Sequence, residues 1–199
     1  MIPAVVLSGL LAAQAEIAVA DTPVMVTKPR ANLVVPVLHD LALMSVMRGV
    51  ESYLWPDPFS RPQHFAARYE EAFTKPPIFD ARKPAFQWDG DSIKINVLGH
   101  GVFGSELYMR ARQCHLGVAG SLAAAAISST VWEYVFEGNG VRPSAQDLVF
   151  TPLAGLVLGE LRFLGYQAAA KLARPVTRHV VQAVLDPLGE LERVAGAPC

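Results

Sequence analysis

The sequence predicts a mainly α-helical fold: a compact bundle of Gly/Ala-rich helices, membrane-embedded or membrane-associated, with a Pro-rich polar loop region ahead of it. Three observations predict this. Hydrophobic residues make up 52% of the 199 residues and charged residues 18%, against roughly 25% charged in an ordinary soluble domain. Apolar residues recur at helical spacing in several segments. Three late apolar stretches, 95–109, 116–136 and 148–166, are dense in Gly, Ala and Ser, which lets helix backbones approach closely where lipid removes the hydrophobic drive.

The same composition excludes other classes. Mean hydropathy is +0.29, too apolar for intrinsic disorder. Lys and Arg number 17 against 18 Asp and Glu, so no field of one sign exists to attract nucleic acid. Two cysteines make neither a disulfide-rich scaffold nor a four-ligand zinc site.

Taken in order, residues 1–20 read as a signal peptide. The apolar stretch 4–13 has the length of a signal core, although no Lys or Arg precedes it. Ala18-Val19-Ala20 before Asp21 fits a small-x-small cleavage site, as does Ala13-Gln14-Ala15 before Glu16. Export leads to an oxidising compartment, where Cys114 and Cys199 could pair; two unrelated thiols is the favoured reading, because spacing cannot establish a bridge.

Residues 21–85 hold one apolar helix and a Pro-rich polar segment. Val37, Leu41, Met44, Met47, Val50 and Leu54 predict a helix over 37–55, with Arg48 and Glu51 a solvated pair on its edge. Residues 56–94 carry six prolines and both charge signs, with a helix over 63–73 and loops that face water. Asp89-Gly90 marks a tight turn. Residues 86–170 form the helical core domain, and 171–199 an amphipathic helix, kinked or ended by Pro187, with a frayed tail.

The polar residues inside the apolar segments are the candidate site. His100, Gly104 and Tyr108 share one helix face at spacing four, and Glu133 and Glu137 share another. Two carboxylates on one apolar stripe need donors, a cation, a metal or protons; Arg142 in the next loop is the nearest cation in sequence. Ser144 and Asp147 have helix-start spacing. Asp147, Thr151, Gly155 and Gly159 form a stripe in which Pro152 either kinks the helix or sits at N1 behind a Thr151 cap. His100, Glu133, Glu137, Arg142 and Asp147 therefore form a polar functional cluster, since ionisable residues in such helices tend to converge and to be functional. Each also has a plain structural role open to it: a satisfied core histidine, a paired carboxylate, a helix cap.

Two motif tests are negative. Gly99-His100-Gly101-Val102-Phe103-Gly104 matches Gly-x-Gly-x-x-Gly, but no acidic residue follows about 20 positions on. His100, Glu133, Glu137 and Asp147 have the chemistry of Mg, Mn, Fe or Zn ligands, yet no Glu-x-x-His pair, HExxH or CxxC occurs. The expectation is no metal and no cofactor.

Asn96 through Tyr108 (NVLGHGVFGSELY), Ser129-Thr130-Val131-Trp132-Glu133-Tyr134, Glu137, Arg142-Pro143-Ser144, Asp147-Leu148, Thr151-Pro152 and Gly155 through Glu160 together resemble an uncharacterised bacterial family, domain of unknown function 3943. Trp88-Asp89-Gly90-Asp91 is similar to a part of the same signature. The resemblance implies a bacterial cell-envelope protein, exported or membrane-associated, with no assigned activity. The order His, Glu, then Asp with Gly-x-x-x-Gly is more loosely similar to VanZ-like membrane proteins and YfiM-type lipoproteins; this chain departs from the latter in having no cysteine after its signal-like core.

Two functional expectations follow. The first is a non-catalytic envelope module that binds membrane lipid or a protein partner, with the cluster as structural glue. The alternative is a lipid- or phospholipid-active enzyme, with His100 as acid/base, Glu133, Glu137 and Asp147 positioning water or a metal, and Arg142 holding a phosphate.

Overall fold

The computed structural model describes residues 29–199, Pro198 excepted. The predicted signal peptide over 1–20 lies outside these residues. The described chain is helical, and no strand forms among the described residues; Ile78 and Ser144 make an isolated bridge.

Helix α1, Val34–Leu54, matches the predicted apolar helix within three residues at each end. Asn32 accepts from the Val34 amide at 2.9 Å, satisfying a donor at the helix start. The short α2, Pro56–Phe59, and α3, Pro62–Thr74, each begin on proline, whose missing N–H costs nothing there. A π-helical segment, Lys94–Gly99, runs into α4, His100–Gln113. Because the residues before Gly99 are helical rather than a strand, the glycine motif serves helix packing and not a dinucleotide turn.

Helix α5, Val118–Val131, continues into a second π segment, Trp132–Phe136. Helix α6, Ala145–Ala154, a third π segment, Gly155–Gly159, and α7, Glu160–Ala169, form one continuous rod of 25 residues. Ser144 caps α6, accepting from the Asp147 amide at 3.2 Å. Pro152 lies inside α6, so the reading with Thr151 as cap is not taken. Helices α8, Pro175–Leu185, and α9, Pro187–Val194, meet at Pro187, as expected.

Helix α4 is central and packs on α1, α5, α6 and α7. Its predicted face meets the predicted small-residue stripe of α6. A Cβ on Gly104 would lie 2.8 Å from the Thr151 carbonyl carbon, and one on Gly155 would lie 3.0 Å from that of Gly104. A Cβ on Gly159 would meet the Tyr108 ring at 2.8 Å. The helices touch backbone to backbone, which glycine alone allows.

Buried polar side chains, among them Asn96, Ser121, Glu133, Asp147, Thr151 and Asp186, outnumber buried apolar ones. Large apolar side chains face outward on nearly every long helix: Val34 is 66% exposed, Val102 63%, Leu161 63% and Val184 75%. Of the apolar window in the α6–α7 rod, 22% is buried. The rod is long and apolar enough to cross a membrane, since 25 residues rise about 37 Å against a hydrocarbon core of about 30 Å.

Charge concentrates in a buried knot that sequence spacing did not reveal. Arg110, 3% exposed, lies 3.3 Å from Asp186 and 3.2 Å from Glu192. Arg162 reaches Glu106 at 2.7 Å, and His39 lies between Glu106 at 3.6 Å and Glu192 at 2.5 Å. The knot joins α1, α4, α7 and α9.

Three local expectations are corrected. Arg48 and Glu51 are not a solvated pair. Arg48 donates to the Phe59 carbonyl and the Asn139 side chain, which draws both partners under the loops. Cys114 and Cys199 are not unrelated thiols but form a disulfide, their Cα atoms 4.7 Å apart. The final residue is thereby tied to the end of α4 rather than frayed.

Candidate functional site

The first turn of α4 places His100 facing α6. Its Nδ1 lies 3.0 Å from Thr151 Oγ1, and both side chains are buried. Its Nε2 lies 3.7 Å from Asp147 Oδ2, beyond a hydrogen bond. The other Asp147 oxygen accepts from Gln146 at 3.2 Å.

Glu133 arrives from the second π segment, 2% exposed. Its Oε2 accepts the Ser144 amide at 2.8 Å, and its Oε1 is buried with no hydrogen-bond partner. One atom each from His100, Glu133 and Asp147 falls within 4.8 Å of the other two. The structure therefore brings these three of the five candidates to one point.

Glu137 and Arg142 do not join them. The Glu137 amide bonds back to the Trp132 carbonyl, five residues away, at 2.8 Å. This wider turn breaks the predicted spacing-four stripe, and Glu137 lines the neighbouring crevice with Glu51 and Ile95. Burial, and then the charge of Glu133, push its carboxyl well above the usual Glu range. Arg142 makes no ion pair among the described residues, and its charge acts on Glu71. Of the two partners open to Glu133, the Arg142 cation or a backbone donor, the structure supplies the backbone amide of Ser144.

Asp89 and Asn96 were missed. Asp89 accepts from Ser144 Oγ and from Asn96 Nδ2, both at 2.8 Å, and from the Asp91 amide at 3.0 Å. Burial opposes its charge, but these donors and the Asp147 carboxyl outweigh it and hold Asp89 below the usual Asp range. The available signal was the Asp-Gly turn, here with Gly90 at φ +116°: such a turn places an Asp side chain to bind neighbouring donors.

All three π segments adjoin this site. One ends just before His100, one contains Glu133, and one begins four residues after Thr151. Single-turn π segments inside helices are frequent at functional sites because they re-aim side chains.

One cavity reaches the cluster, and a second, larger one shares part of its lining. An apolar groove of about 640 Å³ runs between Leu43, Met47, Val102, Phe103, Leu158 and Val184, with Glu106 and Arg162 at its polar edge. A crevice of about 120 Å³ reaches His100 and Glu137 and shares Met47, Gly99 and Phe103 with that groove. Trp132, stacked on Phe136 and against Phe103, is packing as expected. An imidazole and two carboxylates aimed at one point hold a cation or share protons. Ser144 is not a free nucleophile, since its hydroxyl is occupied by Asp89 and the Asp147 amide.

A family model described as a domain of unknown function, DUF3943, matches residues 85–188, from the loop before the first π segment into α9. No curated protein and no solved structure matches the chain.

Proposed function

We propose that this chain, which belongs to the DUF3943 family of unknown function, is a membrane-associated helical module of the bacterial envelope that binds a membrane lipid without transforming it. The carrying observation is the groove of about 640 Å³ whose apolar walls, Val102, Leu158 and Val184, are continuous with the exposed apolar exterior. An acyl chain leaving a bilayer passes from one apolar surface to another, so entry removes apolar area from no polar partner. The Cys114–Cys199 disulfide supports an oxidising compartment.

The test is native mass spectrometry of the full chain extracted in mild detergent and offered phosphatidylethanolamine. One lipid per chain is expected, with loss in Val102→Trp and Leu158→Trp, which fill the groove. Equal lipid retention in both folded variants would sink this reading.

One observation favours a second reading, a lipid-active enzyme: His100 borders a crevice whose lining shares Met47, Gly99 and Phe103 with the groove. In that reading His100 is the acid/base, and Lys94, which lines the adjoining cavity with Glu51 and Glu137, replaces Arg142 as the nearby cation. Loss of a cellular phenotype in folded His100→Ala, with lipid retention intact, would favour it over simple binding.

A further inference from the structure

We propose that His100, Glu133 and Asp147 form a binding site for one divalent transition-metal ion, of the Mn²⁺, Fe²⁺ and Zn²⁺ class. This revises the expectation of no metal, and it does not rest on the lipid reading.

The first support is convergence. The three side chains come from three separate segments: the start of α4, the π segment after α5 and the first turn of α6. Each is buried, and their donor atoms lie within 4.8 Å of one another. Metal–ligand bonds of about 2.0–2.2 Å put ligand atoms roughly 3.5 Å apart in a tetrahedral site. The 3.7 Å between His100 Nε2 and Asp147 Oδ2 is already close to that.

The second, independent support is the unpartnered oxygen. Glu133 Oε2 is taken by the Ser144 amide, which leaves the buried Oε1 as the atom with nothing to bind. A buried carboxylate oxygen without a donor is uncommon in native proteins, and a bound ion is one of the groups that satisfies it.

The third support is the surrounding shell. Metal-binding histidines fix their orientation by hydrogen-bonding through the other ring nitrogen. His100 Nδ1 lies 3.0 Å from Thr151 Oγ1, and in the tautomer that carries its proton on Nδ1 this contact leaves the Nε2 lone pair toward Asp147. Gln146 holds the second oxygen of Asp147 in the same way. Asp89 adds further negative charge beside Ser144, and no Lys or Arg pairs with Glu133, Asp147 or Asp89 among the described residues. One nitrogen and two carboxylates suit Mn²⁺, Fe²⁺ or Zn²⁺ better than a soft thiolate-seeking ion. Three protein ligands leave a coordination position open, and His100 borders the crevice leading out.

The competing account is a cluster held by shared protons alone. The experiment uses the full chain in detergent, stripped with chelator and titrated with Zn²⁺ alone and then Mn²⁺ alone, read by calorimetry and native mass spectrometry. One ion per chain is expected, with affinity at least tenfold weaker in Glu133→Gln and Asp147→Asn and unchanged in Glu190→Gln. The added metal should raise the melting temperature of the unmodified chain and not that of the two cluster variants. Absence of a stoichiometric ion, or undiminished affinity in both folded cluster variants, overturns the proposal. Should the variants not fold, the unmodified chain with Mn²⁺ decides: electron spin-echo modulation from a coordinated histidine ¹⁴N is required, and its absence overturns the assignment.

Discussion

Replacing Gly104 by alanine adds one methyl group at the closest approach of two helices. Its Cβ would lie 2.8 Å from the Thr151 carbonyl carbon and closer still to the oxygen, where ordinary contact begins at 3.4 Å. The carbon alone requires the α6 backbone to retreat by about 0.6 Å and the nearer oxygen requires more, and the obstacle is main chain, not a side chain free to rotate. Overpacking of this kind costs about 1–3 kcal/mol. The retreat also stretches the 3.0 Å bond between Thr151 and His100. Gly99 supplies the control one turn earlier: a Cβ there meets nothing within 4 Å. Gly99→Ala should gain the helix-propensity difference of about 0.5–1 kcal/mol. At roughly 2–4 °C per kcal/mol for a chain of this length, Gly104→Ala should melt about 2–12 °C lower and Gly99→Ala slightly higher. The assay is thermal unfolding in detergent followed by tryptophan fluorescence, with Trp132 2% exposed as reporter. Equal melting temperatures for the two variants would refute backbone contact between α4 and α6.

Other outcomes follow from the knot, the disulfide and Glu137. Arg110→Met leaves Asp186 and Glu192 without their shared cation, and breaking such a buried pair should lower stability by about 3–5 kcal/mol in the same assay; an unchanged melting temperature would show that the knot is solvated. The Cys114–Cys199 bridge spans 85 residues, so reduction should slow migration on a gel and lower stability by about 2–4 kcal/mol. Free thiol titration giving two reactive cysteines in the oxidised full chain would contradict it. Glu137 keeps its proton in the folded chain at pH values where the unfolded chain has released it. Its contribution to stability is thus full below the ordinary Glu range and is lost as pH rises through the raised folded value. Glu133, Glu51, Asp91 and Asp147 are the charges that face it. Glu137→Gln should flatten the decline of melting temperature with rising pH, and parallel slopes for variant and unmodified chain would refute the assignment.

Elements were legible where periodicity is local. The apolar repeat from Val37 to Leu54 predicted α1, the Ser144–Asp147 spacing predicted the cap of α6, and Pro187 marked the junction of α8 and α9. The facing stripes of His100-Gly104-Tyr108 and Thr151-Gly155-Gly159 were also readable, because small residues at spacing four have one efficient use, close helix packing. Glu137 was misplaced because spacing arguments assume 3.6 residues per turn, and a π segment intervenes at Trp132–Phe136.

The sequence by itself determined the helical class, the position of α1 to within a turn and the identity of the small-residue faces, because each depends on residues within a few turns of one another. Tertiary structure alone decided the rest. It selected Ser144 over Arg142 as the donor to Glu133, drew Asp89 into the cluster, paired Cys114 with Cys199, and gathered His39, Glu106, Arg110, Arg162 and Glu192 into one knot. These partners lie far apart in the chain. A buried charge takes whichever donor the fold carries to it, and linear spacing holds no record of which donor that is.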